Sequence, residues 1–365
     1  MLEPDTMRLC NKSVLSVLIL VSTLSLEAQQ PAKPPAPAVQ AQTAPLTVDR
    51  DPVRSPDAET PATPAGESLE KKGSGYVLHT DVEEVILNAT VLSGSNQLVQ
   101  NLKKDNFQVF EDGVKQSIVS FQHSDLPVSI ALVVDNSGSM SKKRPSVNKA
   151  ALDLVEASNP QDEAFVVNFS DEAYIDQEFT SNVNKLRDGL AHIESRGGTA
   201  LYDAVVASAD KLVSDASRPK QVLVIVTDGE DNASTLSLEQ TIRRVQELSG
   251  PVIYSIGLLF GDEMSHAEVR HARRALEMLS TETGGIAFFP KNIEQVDQIA
   301  AEVARDIRSQ YTIGYHSTKP STQPGFRRVQ VTAEEPGGGK FTVRTRTGYF
   351  PESRAKRAGA TKKQP

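Results

Sequence analysis

The stretch Ile130-Ala131-Leu132-Val133-Val134-Asp135-Asn136-Ser137-Gly138-Ser139-Met140-Ser141 sets the reading of the whole chain. Residues 128–134 are dominated by β-branched and aliphatic side chains, and the run ends at a carboxylate. Such a run predicts a strand buried on both faces, as in a parallel sheet covered by helices. Open α/β sheets place their sites at the carboxyl ends of their strands, which is where Asp135, Ser137 and Ser139 follow at spacings of two. One carboxylate, neutral hydroxyls and retained water suit a hard cation such as Mg²⁺, which takes near-octahedral oxygen ligands and dehydrates reluctantly.

Two later stretches supply what this loop lacks. Arg196-Gly197-Gly198-Thr199 brings a hydroxyl to a glycine-rich turn entering a helical pattern, and residues 222–226 repeat the pattern of a buried strand leading to an acid, Asp228. If the strands leading to Asp135 and Asp228 are neighbours, then Asp135, Ser137, Ser139, Thr199 and Asp228 converge on one point. The plainer reading is a Ser/Gly turn capping a helix, with Asp135 satisfied by local N–H groups.

In these residues the chain resembles the von Willebrand factor A domain family, whose metal-ion-dependent adhesion site has the form Asp-x-Ser-x-Ser with a distant Thr and a distant Asp. The resemblance covers roughly residues 126–308, a length usual for one domain. It implies that Ser137, Ser139 and Thr199 ligate the metal directly, that Asp135 and Asp228 act through water, and that one coordination position is left for a partner's carboxylate. The implied ion is Mg²⁺, with Mn²⁺ or Ca²⁺ as substitutes. Asn136, Gly138, Met140, Gly198, Tyr202, Gly229 and Glu230 flank these ligands and are the expected partner-binding rim, with core packing the alternative for Met140.

Composition narrows the function classes. The chain has 365 residues, 38% of them hydrophobic, enough for a real core and up to two domains. A net charge of −8 argues against a nucleic-acid partner, which requires a concentrated basic surface. Trp is absent and aromatics make up 5%, so a stacking platform for bases or sugars is not expected. A single cysteine, Cys10, excludes an internal disulfide.

Residues 1–28 read as a secretory signal peptide: Arg8 and Lys12 precede an apolar stretch ending near Ala28. An uncleaved membrane anchor is the alternative, although a spanning helix needs about 20 apolar residues. The expected location is secreted or in the periplasm or cell envelope. Residues 29–74, rich in Pro, Ala and Thr, read as a disordered tether. Residues 75–124 turn to strand patterns, with Asp112-Gly113 as a hairpin signal and residues 117–121 as the expected return strand. The stretch LKKDNFQVFEDGVKQSIVSF, together with the later TGYF, resembles the β segments flanking the A domain in a bacterial group of A-domain-related secreted proteins known chiefly from acidobacteria.

Residues 125–309 alternate in the βα manner. Helices are expected over 149–157, 183–193, 200–213, 238–248, 266–279 and 296–307, with strands over 164–169, 222–226, 252–258 and 286–289 and a short edge strand at Tyr174-Ile175. This alternation predicts an α/β fold: a Rossmann-like open sheet, mostly parallel, with helices on both faces. The family order places the strands ending at Asp135 and Asp228 side by side at the sheet centre. Residues 310–351 return to strand patterns, and the two flanking β segments are expected to meet in one small all-β accessory module. Residues 352–365 form a basic tail, read as disordered, with contact to anionic envelope polymers as the alternative.

The resulting expectation is an exported, metal-dependent protein-binding module, not an enzyme, that captures an Asp or Glu carboxylate of a protein ligand. A structural scaffold of a cell-envelope complex that does not use the metal is the alternative. A Mg²⁺-dependent phosphatase-like hydrolase is a third class; it needs a second carboxylate two residues beyond the first, where Ser137 stands. None of the six histidines has a paired-ligand spacing, and Ser137 lacks a GxSxG elbow.

Overall fold

The computed structural model describes residues 84–351 except 158, 192–194, 249, 261–263 and 336–338, together with the backbone of four three-residue strands nearer the start. The expected signal peptide and basic tail lie outside the described residues, as does the tether apart from its short strands. Among the described residues no helix is long and apolar enough to cross a membrane.

The elements in chain order are β1 (Glu84–Leu92), β2 (Phe107–Glu111), β3 (Val114–Gln116), β4 (Ile118–Gln122) and β5 (Val128–Asp135). They continue with α1 (Arg144–Glu156), β6 (Glu163–Phe169), β7 (Ala173–Thr180), α2 (Val183–Ala191), α3 (Leu201–Asp215), β8 (Lys220–Thr227) and α4 (Leu238–Leu248). The last are β9 (Val252–Gly257), α5 (His266–Thr283), β10 (Ala287–Phe288), α6 (Val296–Arg308), β11 (Tyr311–His316), β12 (Arg327–Ala333), β13 (Thr342–Arg344) and β14 (Gly348–Tyr349).

The central sheet runs β10-β9-β8-β5-β6-β7, extended at the β7 edge by the strands Leu46–Val48 and Asp51–Val53. Pairing is parallel from β10 to β6, while β7 lies antiparallel to β6. All eight residues of β5 are buried, and successive side chains point to opposite faces. Ile130, Leu132 and Val134 pack with α1, α2 and α6 on one face. Ala131 and Val133 pack with α3, α4 and α5 on the other. The sheet is therefore covered on both sides, which explains a strand with almost no polar alternation.

From β5 the chain moves through α1 to β6 on one side, then returns through α2 and α3 to β8 on the other. The β5/β8 boundary is thus the topological switch point, where such sheets open a crevice. The expected adjacency of the two acid-bearing strands is what the sheet shows, with Val134 opposite Val226.

Several elements depart from expectation. The strand at Tyr174-Ile175 is eight residues long rather than a short edge piece, because Ala173 and Ile175 are buried against the α3 face. Helix α1 begins five residues early, with Pro145 in its first turn, where a missing N–H costs nothing. Helix α5 runs a further turn and stops at Gly284, whose φ of 90° supplies the left-handed cap. The return strand expected at 117–121 is two strands: β3 pairs with β2 across Asp112-Gly113, and β4 leaves for another sheet. Both turn residues have positive φ, 48° and 81°, which suits a two-residue hairpin.

The flanking segments meet in two four-stranded antiparallel sheets, ordered β13-β1-β11-β4 and β14-β12-β2-β3. Their shared core includes Leu87, Val91, Phe107, Val109, Ile313 and Val331. Between the sheets the Glu111 carboxylate accepts from the Tyr315 hydroxyl at 2.7 Å, the Ser317 hydroxyl at 2.6 Å and the Tyr349 hydroxyl at 2.9 Å, with Arg327 at 3.6 Å.

Candidate metal centre

Three loops at the carboxyl ends of β5 and β8 and the start of α3 build the site. After β5, residues Gly138–Lys142 form a 3₁₀ turn that runs into α1. The Asp135 carboxylate is fully buried. One of its oxygens accepts from the Ser137 N–H at 2.7 Å and the other from the Thr227 hydroxyl at 2.5 Å. Burial pushes this carboxyl up to about 6, and the nearby Asp228 charge adds to that, while the bonds from Thr227 and Ser137 oppose it.

The Ser137 and Ser139 hydroxyls lie 3.1 Å apart, and the Ser139 hydroxyl donates to Asp228 Oδ1 at 2.8 Å. Asp228 Oδ2 accepts from the Lys143 ammonium at 2.5 Å. Thr199 is held by Asn232, whose side-chain oxygen accepts the Thr199 N–H at 2.9 Å and whose own N–H reaches the Thr199 carbonyl at 3.0 Å. The Thr199 hydroxyl abuts Gly229: a Cβ on that glycine would stand 3.3 Å from it. Ser139, Thr199 and Asp228 line one cavity of about 230 Å³. The structure therefore brings all five expected residues to one place.

The loops fix one another. Gly197 has φ +81°, and a Cβ there would clash with the Asp171 carboxylate. The same carboxylate accepts the Gly198 N–H at 2.7 Å. Helix α3 has no cap from its own N-cap residue. Its first N–H groups are satisfied instead from the loop after β8: Tyr202 N–H donates to Asp231 at 3.1 Å and to the Ser234 hydroxyl at 3.0 Å. Arg144 reaches the Asp135 carbonyl at 3.3 Å and Asn168 at 2.8 Å, tying the first loop to β6.

Of the expected rim, Gly138 is exposed, and Asn136, Gly198, Tyr202, Gly229 and Glu230 are half-buried. Met140 is corrected: it is fully buried in the core on the α1 face, because the 3₁₀ turn directs it inward. Sequence reasoning missed Thr227, Lys143 and Asn232. Thr227 stands directly before Asp228, and Lys143 lies four residues after Ser139, so each had a positional signal that only the register makes meaningful.

The donor set is all oxygen: two carboxylates and three hydroxyls, which suits a hard divalent cation. Among the described residues no three His, Cys, Asp or Glu side chains are grouped to hold a metal. An ion here would depend on the hydroxyls.

Residues 130–230 match the family profile described as the von Willebrand factor type A domain. Human (Homo sapiens) inter-alpha-trypsin inhibitor heavy chain H4 is 27% identical over 242 residues, covering 60% of this chain and 25% of that protein. Calcium-activated chloride channel regulator 3A-1 of Mus musculus is 31% identical over 169 residues, 44% of this chain and 17% of its own. The chain thus spans a quarter or less of these relatives' length. Among solved structures, a von Willebrand factor type A protein from Catenulispora acidiphila aligns over 73% of each chain at 12% identity, with a TM-score of 0.42. The residues that match the von Willebrand factor type A profile, 130–230, hold all five side chains that converge between β5 and β8.

Proposed function

We propose that this chain is an exported protein-binding module in which Asp135, Ser137, Ser139, Thr199 and Asp228 hold a Mg²⁺ ion whose open position takes an Asp or Glu carboxylate from a protein partner. The observation that carries this reading is the 2.8 Å contact between the Ser139 hydroxyl and Asp228, which closes two loops 89 residues apart on one point. With only two carboxylates among the five candidate ligands, a bound ion stays electrophilic toward an incoming carboxylate. Three hydroxyls and two carboxylates are this chain's contribution; the ion would supply the attraction.

Both oxygens of Asp135 are engaged by Ser137 and Thr227 and its side chain is buried. That supports binding over hydrolysis, since a nucleophile must be free to attack. The flanking β sandwich supports the narrower kinship with the secreted bacterial group. A metal-free envelope scaffold is the second reading, favoured by one observation: Lys143 already neutralises Asp228.

Affinity capture from an envelope extract with Mg²⁺, with EDTA, and with Asp135→Ala separates the two. A partner held only by the wild-type chain in Mg²⁺ supports capture through the ion. A partner retained equally in all three samples overturns it in favour of the scaffold.

A further inference from the structure

The Lys143 ammonium lies 2.5 Å from an Asp228 oxygen, with its side chain 15% exposed and that of Asp228 fully buried. It also sits 5.5 Å from the centre of the Phe260 ring and lines the same cavity as Ser139 and Thr199. Its place follows from local geometry, because Lys143 stands four residues beyond Ser139 across one 3₁₀ turn and both reach the same carboxylate. A buried carboxylate without a counter-charge is strongly destabilising, so this ammonium serves as the site's own cation.

We infer that Lys143 is a specificity-determining residue of this site: it weakens divalent metal binding and supplies a local positive charge, beside the ion, that favours a carboxylate ligand. The inference rests on the metal-binding reading above. Two carboxylates, Asp135 and Asp228, balance one divalent ion. Lys143 then adds a positive charge that repels the ion and attracts an anionic sixth ligand. A neutral residue at 143 therefore shifts the two affinities in opposite directions, which loss of packing alone does not do. Glu230, Asp231 and Glu268 also line the cavity, so among the described lining residues Lys143 is the cation set against these acids, and its removal makes the surroundings more anionic.

The test is a titration of the full chain with Mn²⁺ alone, followed by the electron paramagnetic resonance of free Mn²⁺, then acetate added to the loaded protein and followed by water-proton relaxation. Lys143→Met and Lys143→Gln are expected to bind Mn²⁺ about tenfold more tightly and acetate more weakly, as removal of one like charge at close range predicts. Lys143→Arg keeps the charge and is expected to behave as the wild type. The Gln variant preserves length and polarity, so a poorly folded Met variant does not remove the test. Unchanged or weaker Mn²⁺ binding in Lys143→Gln overturns the inference while leaving the metal site intact, provided the wild type binds and Asp135→Ala does not. A wild-type chain that binds no Mn²⁺ overturns both.

Discussion

At the scale of single residues, the site is a set of carboxylates whose oxygens are all engaged. Thr227 is the least conspicuous member, yet its hydroxyl holds one oxygen of the fully buried Asp135. Thr227→Val keeps the shape and deletes that bond. Groups that orient metal ligands typically change affinity by 10- to 100-fold, so this variant is expected to bind Mn²⁺ about tenfold more weakly by calorimetry; unchanged affinity contradicts the role given to Thr227. The five candidate ligands were legible in the sequence because metal chemistry depends on residue type and order: acid, hydroxyl, hydroxyl, then a distant hydroxyl and a distant acid. Thr227 and Lys143 were not, because their roles depend on which side chains a particular strand register and a 3₁₀ turn bring face to face. Met140, for which rim and core were both open, is decided by the same turn: it is adjacent to Ser139 in sequence yet buried in the core.

At the scale of elements, buried strands and amphipathic helices were readable from hydrophobic patterning, while their ends were decided by caps and neighbours. Helix α5 begins with a capping box, the Ser265 hydroxyl accepting from the Glu268 N–H at 3.3 Å and the Glu268 carboxylate accepting from the Ser265 N–H at 2.7 Å. Ser265→Ala is expected to lower the unfolding free energy by about 1 kcal/mol in chemical denaturation. Its far end is more demanding. Gly284 has φ +90°, and a Cβ there would lie 2.6 Å from the Arg346 backbone nitrogen. Gly284→Ala therefore meets both backbone strain and a clash with a segment 62 residues later, and is expected to cost more than the Ser265 change. The hairpin return at 117–121 was misread because turn chemistry specifies the bend and not how long the returning strand stays in its sheet. After only three residues of β3 the chain leaves that sheet, and from Ile118 β4 pairs with β11 instead.

The start of β8 carries a pH dependence. Lys220 is buried and donates to the Ile307 carbonyl at 2.6 Å. Burial holds its ammonium down to about 8, from the ordinary 10.5, against the pull of Asp125, Asp306 and Asp162. Below pH 8 both folded and unfolded chains keep the proton, and the burial cost is paid in full. Above it the folded chain releases the proton first, so the unfolded chain binds more protons and stability rises with pH. Denaturation between pH 8 and 10 is expected to show a gain on the order of 2 kcal/mol. In Lys220→Met that slope should disappear; a slope that persists assigns it to another group.

At the scale of the whole molecule, the α/β domain interrupts a β sandwich whose strands come from both of its flanks. Glu111, from the first flank, is fully buried among Tyr315, Ser317, Arg327 and Tyr349 from the second. Sequence patterning separated the two flanks as strand-rich, and the closeness of the α/β domain's ends suggested their meeting. It gave no hint of Glu111, which sits in a turn-like Glu-Asp-Gly context that explains acids cheaply. Glu111→Leu strips the counter-charge from a buried arginine and the acceptor from two tyrosines. It is expected to cost about 3–5 kcal/mol, read as a shift of the denaturation midpoint; a change within about 0.5 kcal/mol, the range of ordinary surface substitutions, contradicts a clasp at this position.

The same molecule-wide arrangement makes one claim about function: loops from distant parts of the chain form a single hydroxyl-rich cation site. Isothermal titration of the full chain with Mn²⁺, beside Asp135→Ala and Thr199→Ala, addresses it directly. One ion bound per wild-type chain is expected, with none detectable in Asp135→Ala and clearly weaker binding in Thr199→Ala. Equal binding by all three proteins, or none by the wild type, contradicts it.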